Sequence, residues 1–199
     1  LCTFNRPDCL ARVLAVLREV QPTTLLIFGD EPRPGHRTDA GRVKACRRLV
    51  LGIDWDCDVK TLYAEKNLGC RIRVSSGISW AFNHTERLII LEEDCVPHPD
   101  FFPYCEELLE RYEHDKRVMA VSGNTFEESP PTEFSYYFSK YPHCWGWATW
   151  KRAWGLMDLN LSRWEQLRDT AWLERIADVP EEVEMCREVF DKVRAGEID

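Results

Sequence analysis

Three consecutive carboxylates, Glu92-Glu93-Asp94, follow directly on the apolar run Leu88-Ile89-Ile90-Leu91. An unbroken apolar run of that length reads as a strand buried on both faces of a parallel sheet. Acids crowded at the end of such a strand repel one another and resist losing water. A hard divalent cation relieves both, because it takes oxygen ligands from one or two carboxylates and shares the rest with phosphate. The plainer alternative is a solvated acidic turn before the next helix. Other residues able to do chemistry stand at comparable places. Arg6 follows the first apolar stretch, Asp30 follows residues 24–28, and Asn67 follows residues 59–64. A guanidinium, an amide and carboxylates on one rim suit a phosphorylated, hydroxyl-rich ligand. Asp30 and Asn67 also fit simple turn formers, and Arg6 a surface ion pair.

The elements that must gather these residues are legible from spacing. Leu10, Val13, Leu14, Leu17 and Val20 recur at helical intervals, and Pro22 closes the segment. Val43, Cys46, Leu49 and Val50 mark a second helix, and residues 70–82 a third. Asp100 caps a fourth, with Pro103 in its first turn and Tyr104, Leu108, Leu109 and Tyr112 along one face. Residues 118–121 read as a further strand. Four strand–helix alternations predict an α/β chain, Rossmann-like, with a mainly parallel central sheet and helices on both faces. Ligands then bind outside the carboxyl ends of the strands.

The character changes after residue 125. Residues 125–143 are rich in Glu, Pro and aromatics and read as a loop leading into an irregular strand. Four of the eight Trp fall within residues 144–154. Trp147, Trp150 and Trp154 at i, i+3 and i+7 predict one aromatic helix face. That face serves either core packing or as a platform for a sugar ring, with Gly146 admitting close backbone approach. Residues 161–197 read as two amphipathic helices split near Asp178-Val179-Pro180. The whole reads as one domain over 1–199, divided into halves 1–125 and 126–199, with both ends cut.

Composition narrows the classes. The 199 residues suffice for a core, and 26 basic against 34 acidic residues give a net charge of −8. That balance argues against nucleic-acid binding through a basic surface. No apolar run approaches the ~20 residues of a membrane span. The nine Cys form no C-x-x-C pair, so they read as free buried thiols in a reducing compartment, with a disulfide left open. Phosphate-loop, dinucleotide, zincin and serine-hydrolase signatures are missing from the sequence. The compartment reads as cytoplasmic, with membrane association and the Golgi lumen as alternatives. Asn83-His84-Thr85 and Asn160-Leu161-Ser162 fit the glycosylation pattern.

Residues 88–104, running through Glu92-Glu93-Asp94 and His98-Pro99-Asp100-Phe101-Phe102-Pro103-Tyr104, resemble the acidic segment of GT-A fold nucleotide-sugar glycosyltransferases. The similarity is to N-acetylglucosaminyltransferase I and its relatives. Thr3-Phe4-Asn5-Arg6-Pro7 resembles that family's first strand end. Asn67-Leu68-Gly69 and the block from Tyr141 to Trp150 are similar to a bacterial, hemolytic-protein-like branch. The resemblance covers residues 1 to about 155 and makes 1–125 a nucleotide-sugar-binding half and 126–199 an acceptor-side half. It implies Arg6 on ribose or phosphate, Asp30 on a uracil-type base, and Glu93 near the ribose or donor sugar. It places Thr3, Asn5, Asn67, Gly69 and Glu92 in the same donor pocket, Asp94 on Mn²⁺ or Mg²⁺, and Gly146 and Trp147 near the acceptor. The implied activity is metal-dependent, inverting transfer of a sugar from a nucleotide-diphosphate donor, a UDP-sugar by preference, to a glycan or other hydroxyl. Such transfer needs a base, and Asp158 and Asp199 are the available carboxylates. Two other readings stand beside it. A nucleotidyltransferase would need a Gly-rich basic loop where Asn5-Arg6-Pro7-Asp8 stands. A non-catalytic glycan- or protein-binding module would use the aromatic block alone.

Overall fold

The computed structural model describes residues 1–124 and 132–198. They divide into two compact units, Leu1–Gly155 and Leu156–Asp199. In the first unit β1 (Cys2–Thr3), β2 (Thr24–Gly29) and β3 (Asp58–Tyr63) form a parallel sheet in the order β1-β2-β3. Alternating with them are α1 (Pro7–Val20), α2 (Asp39–Leu51) and α3 (Cys70–Ala81). Pro7 opens α1, where a missing N–H costs nothing. Leu10, Val13 and Leu17 form its buried stripe, as the spacing predicts.

β4 (Arg87–Ile90), α4 (Phe101–Arg111) and β5 (Ala120–Ser122) follow. β6 (Trp147–Trp150) and the short α5 (Lys151–Trp154) complete the unit. β6 lies between β4 and β5 and is antiparallel to both. The chain after β4 continues alongside β1: the Cys2 N–H donates to the Leu91 carbonyl at 2.8 Å, and Cys2 bridges Glu92 in parallel sense. The carboxyl ends of β1, β2 and β4 therefore point the same way.

The expected α/β class holds, with a three-stranded parallel sheet and helices on both faces. The mainly parallel arrangement extends only to the first three strands. The aromatic helix face does not form. Trp147 and Trp150 sit on a strand, where positions three apart face opposite ways. Trp150 packs with α1, α4 and β2 residues in one core cluster, while Trp147 packs with Phe28, Phe82 and Trp154 in the other. The first unit extends to Gly155, with β6 as the middle strand of a second, antiparallel sheet. Gly77 of α3 shows how tightly the second face is packed: a Cβ there would lie 2.2 Å from Phe28 Cδ2.

In the second unit the two predicted helices become α6 (Trp164–Leu167), a 3-10 turn (Leu173–Arg175) and α7 (Pro180–Ala195). Pro180 starts α7, as predicted, and Trp164, Leu173 and Val183 form a small core. Among the nine thiols Cys46 and Cys105 are buried, whereas Cys70 and Cys144 are exposed. Burial of the thiols is therefore partial. Among the described residues no helix is long and apolar enough to cross a membrane.

Candidate active site

The acidic triplet does not act as one group. Past Leu91 the side chains alternate, so Glu93 turns inward, and the residue is only 6% exposed. Its carboxylate accepts the backbone N–H of Phe4 at 2.7 Å, of Asn5 at 3.0 Å and of Arg6 at 3.0 Å. These three N–H groups form the turn from β1 into α1. The buried Cys46 thiol also faces Glu93 Oε2 at 3.8 Å, and burial, then the Glu93 charge, pushes that thiol up to about 12. The middle acid is thus a backbone clasp, and Glu92 and Asp94 are left for other work.

Asp30 forms a second clasp. Its oxygens accept the N–H of Glu31, Leu68 and Gly69 at 2.9 to 3.0 Å. Asn67 Nδ2 donates to the Glu31 carbonyl at 2.6 Å. The end of β2 is thereby tied to the turn that starts α3. That turn requires Gly69, whose φ of 77° lies in the left-handed region. The carboxylate expected on a base is occupied by backbone, so Asp30 shapes the pocket through the loop it holds.

A third buried carboxylate escapes sequence reading. Asp39, 1% exposed, receives Asn5 Nδ2 at 2.9 Å and Arg33 Nε and Nη2 at 2.7 and 3.0 Å. The only signal was its place ahead of the Val43, Cys46, Val50 spacing, where an acid favours a helix start. The Arg33 bonds hold its carboxyl well below the usual range, with help from Asn5. A lowered carboxyl pKa stabilises the fold in full above the unfolded value of about 3.9 and loses that contribution as pH falls below it. The urea-midpoint gap between wild type and Asp39→Asn is therefore expected to be widest at neutral pH and to shrink once the pH drops below that value. A gap that widens in acid would refute the assignment.

All nine donor-side and metal candidates, Thr3, Asn5, Arg6, Asp30, Asn67, Gly69, Glu92, Glu93 and Asp94, line one cavity of about 550 Å³ at these strand ends. Arg33, Arg42 and Arg73 line it too, and none of them was singled out from sequence. Arg6 Nη1 pairs with Asp94 Oδ2 at the rim. Glu92 is half-buried, and burial, then the neighbouring Asp94 charge, raises its pKa. A second cavity of about 870 Å³ adjoins through the shared Glu92 and Asp94. Tyr104, Tyr136, Tyr137, Trp145 and Gly146 line that cavity. Of the two residues expected on the acceptor side, Gly146 lines this cavity and Trp147 does not: Trp147 packs against the second core cluster, and Trp145 stands at the cavity.

Among the described residues no group of three or more His, Cys, Asp or Glu forms a ready metal cage. Glu92 and Asp94 nevertheless supply hard oxygens at the junction of both cavities, and their mutual repulsion favours a positive ion. They fit a cation that takes its remaining ligands from phosphate and water. Asp158 belongs to the second unit, where Oδ2 accepts the Ser162 N–H and Oγ–H at 2.6 and 2.7 Å and Oδ1 accepts the Asn160 N–H at 3.2 Å. The Ser162 bonds lower its pKa, so it serves as a turn cap. Asp199, the other expected base, lies outside the described residues.

Fold and site define a mixed α/β protein with an arginine-rich cavity at the carboxyl ends of its parallel strands. The chain matches no protein-family model and no curated protein.

Proposed function

We propose that the chain is a GT-A-type, metal-dependent glycosyltransferase that moves a sugar from a nucleoside-diphosphate donor to an acceptor hydroxyl with inversion. One observation carries the reading. A cavity with four arginines and a second, aromatic cavity meet at Glu92 and Asp94. The first suits a diphosphate, the second a saccharide ring, and the reacting bond would lie between them. Asp94 would hold Mn²⁺ or Mg²⁺ with Glu92 beside it, and the ion supplies charge neutralisation for the leaving diphosphate. Arg6, now paired with Asp94, is placed to turn to phosphate when the cation takes its partner. Asp30 and Glu93 would act indirectly, by holding the two loops that border the first cavity. Trp145, 57% exposed, offers a ring face to the acceptor sugar.

The test is titration of UDP with and without Mn²⁺, followed by UDP-sugar hydrolysis. Metal-dependent, saturable binding is the expected result; binding indifferent to the metal would end the proposal. The exposed aromatics Phe134, Phe138, Tyr141 and Trp145 favour one second reading, a glycan-binding module without turnover. It binds saccharide but leaves the donor intact.

A further inference from the structure

Arg73 lies one turn into α3, its N–H bonded to the Gly69 carbonyl at 2.9 Å. The residue is 5% exposed and its guanidinium lies over the Phe28 ring, 5.4 Å from the centroid. Its Nε and Nη2 are buried and bond to no described residue. A guanidinium carries its charge at every physiological pH, and donors left orphaned in a protein interior are heavily penalised. Burial depresses the Arg73 pKa and the nearby Asp30 offsets this only in part. Such a side chain persists in a fold when something outside the chain completes it.

Two further features face the same cavity. The capping residue Gly69 and Cys70, the first residue of the twelve-residue α3, line it, so the positive end of that helix opens there. Arg6, Arg33 and Arg42 surround it. We propose that Arg73 and the first turn of α3 form an oxyanion seat on the floor of the cavity, and that the seat holds the diphosphate of the donor. The identity of the anion rests on the function proposed above; the seat itself does not. Its Nε/Nη2 edge is the fork that grips two oxygens of one phosphate. Both donors are covered as the side chain now lies, so binding turns the fork from the Phe28 ring into the cavity.

The test is calorimetric titration of the whole chain with inorganic pyrophosphate and with UDP, in low salt, on wild type, Arg73→Met and Arg73→Lys. Arg73→Met is expected to weaken both ligands by about 10–100-fold, and Arg73→Lys, which keeps charge but loses the fork, by a smaller factor. The methionine variant is also expected to melt about 2–4 °C higher, because an orphaned buried cation has been replaced by an apolar chain. Affinity and stability move in opposite directions only if Arg73 is kept for a ligand. Unchanged affinity overturns the seat, and so does joint loss of affinity and stability, which marks a structural residue. UDP binding that needs Mn²⁺ but ignores Arg73 removes the seat and leaves the transferase. Pyrophosphate binding that needs Arg73, with no metal effect on UDP, keeps the seat and removes the transferase.

Discussion

Asp94→Ala is expected to abolish the metal dependence of nucleotide-diphosphate binding, lowering affinity for UDP in saturating Mn²⁺ by about 10²-fold or more, since a bound cation supplies several kcal/mol of charge stabilisation. Without metal the sign reverses. Arg6 loses its carboxylate partner, and the cavity gains net positive charge, so metal-free UDP should bind slightly more tightly. The pair of titrations separates a metal ligand from a residue that merely orders the rim. If Asp94→Ala weakens binding equally with and without Mn²⁺, the ligand role is wrong. Stability should hardly change, because the Arg6–Asp94 pair is exposed, with side chains 58% and 37% accessible.

Glu93→Ala is expected to act on stability with the largest effect of any substitution at the site. It strands the N–H groups of Phe4, Asn5 and Arg6 at once. Each stranded, partly buried donor costs about 1–3 kcal/mol, so a total of roughly 3–5 kcal/mol is expected after relaxation. Glu93→Gln keeps an accepting oxygen and should cost about 1–3 kcal/mol. Urea unfolding of the chain followed by tryptophan fluorescence measures both. A Glu93→Ala loss under about 1 kcal/mol would show that the clasp is not what holds the β1–α1 turn.

The contrast between these neighbours shows what sequence could and could not convey. Residue type and strand position bring Glu92, Glu93 and Asp94 to the correct strand end, and Arg6, Asp30 and Asn67 to the same rim. Which carboxylate turns inward depends on where the backbone of β1 arrives, and that pairing joins residues far apart in the chain. Asp30 is similar, since its N–H partners at Leu68 and Gly69 lie beyond β3. The helical stripe of α1 is local and was readable. β6 was not, because Trp147 and Trp150 satisfy helical spacing with Trp154 while pairing with β4 and β5 makes residues 147–150 a strand. Arg73 looks in sequence like one more helical charge, and its burial with two orphaned donors distinguishes it.

The position of β6 also bears on how the chain reaches this state. β1, β2 and β3 meet in order of synthesis, each crossover returning to its predecessor. β5 is made before β6 yet joins the sheet through it. Closing so long a loop is slow compared with local pairing. The antiparallel sheet is therefore completed only once the tryptophan strand lies between β4 and β5.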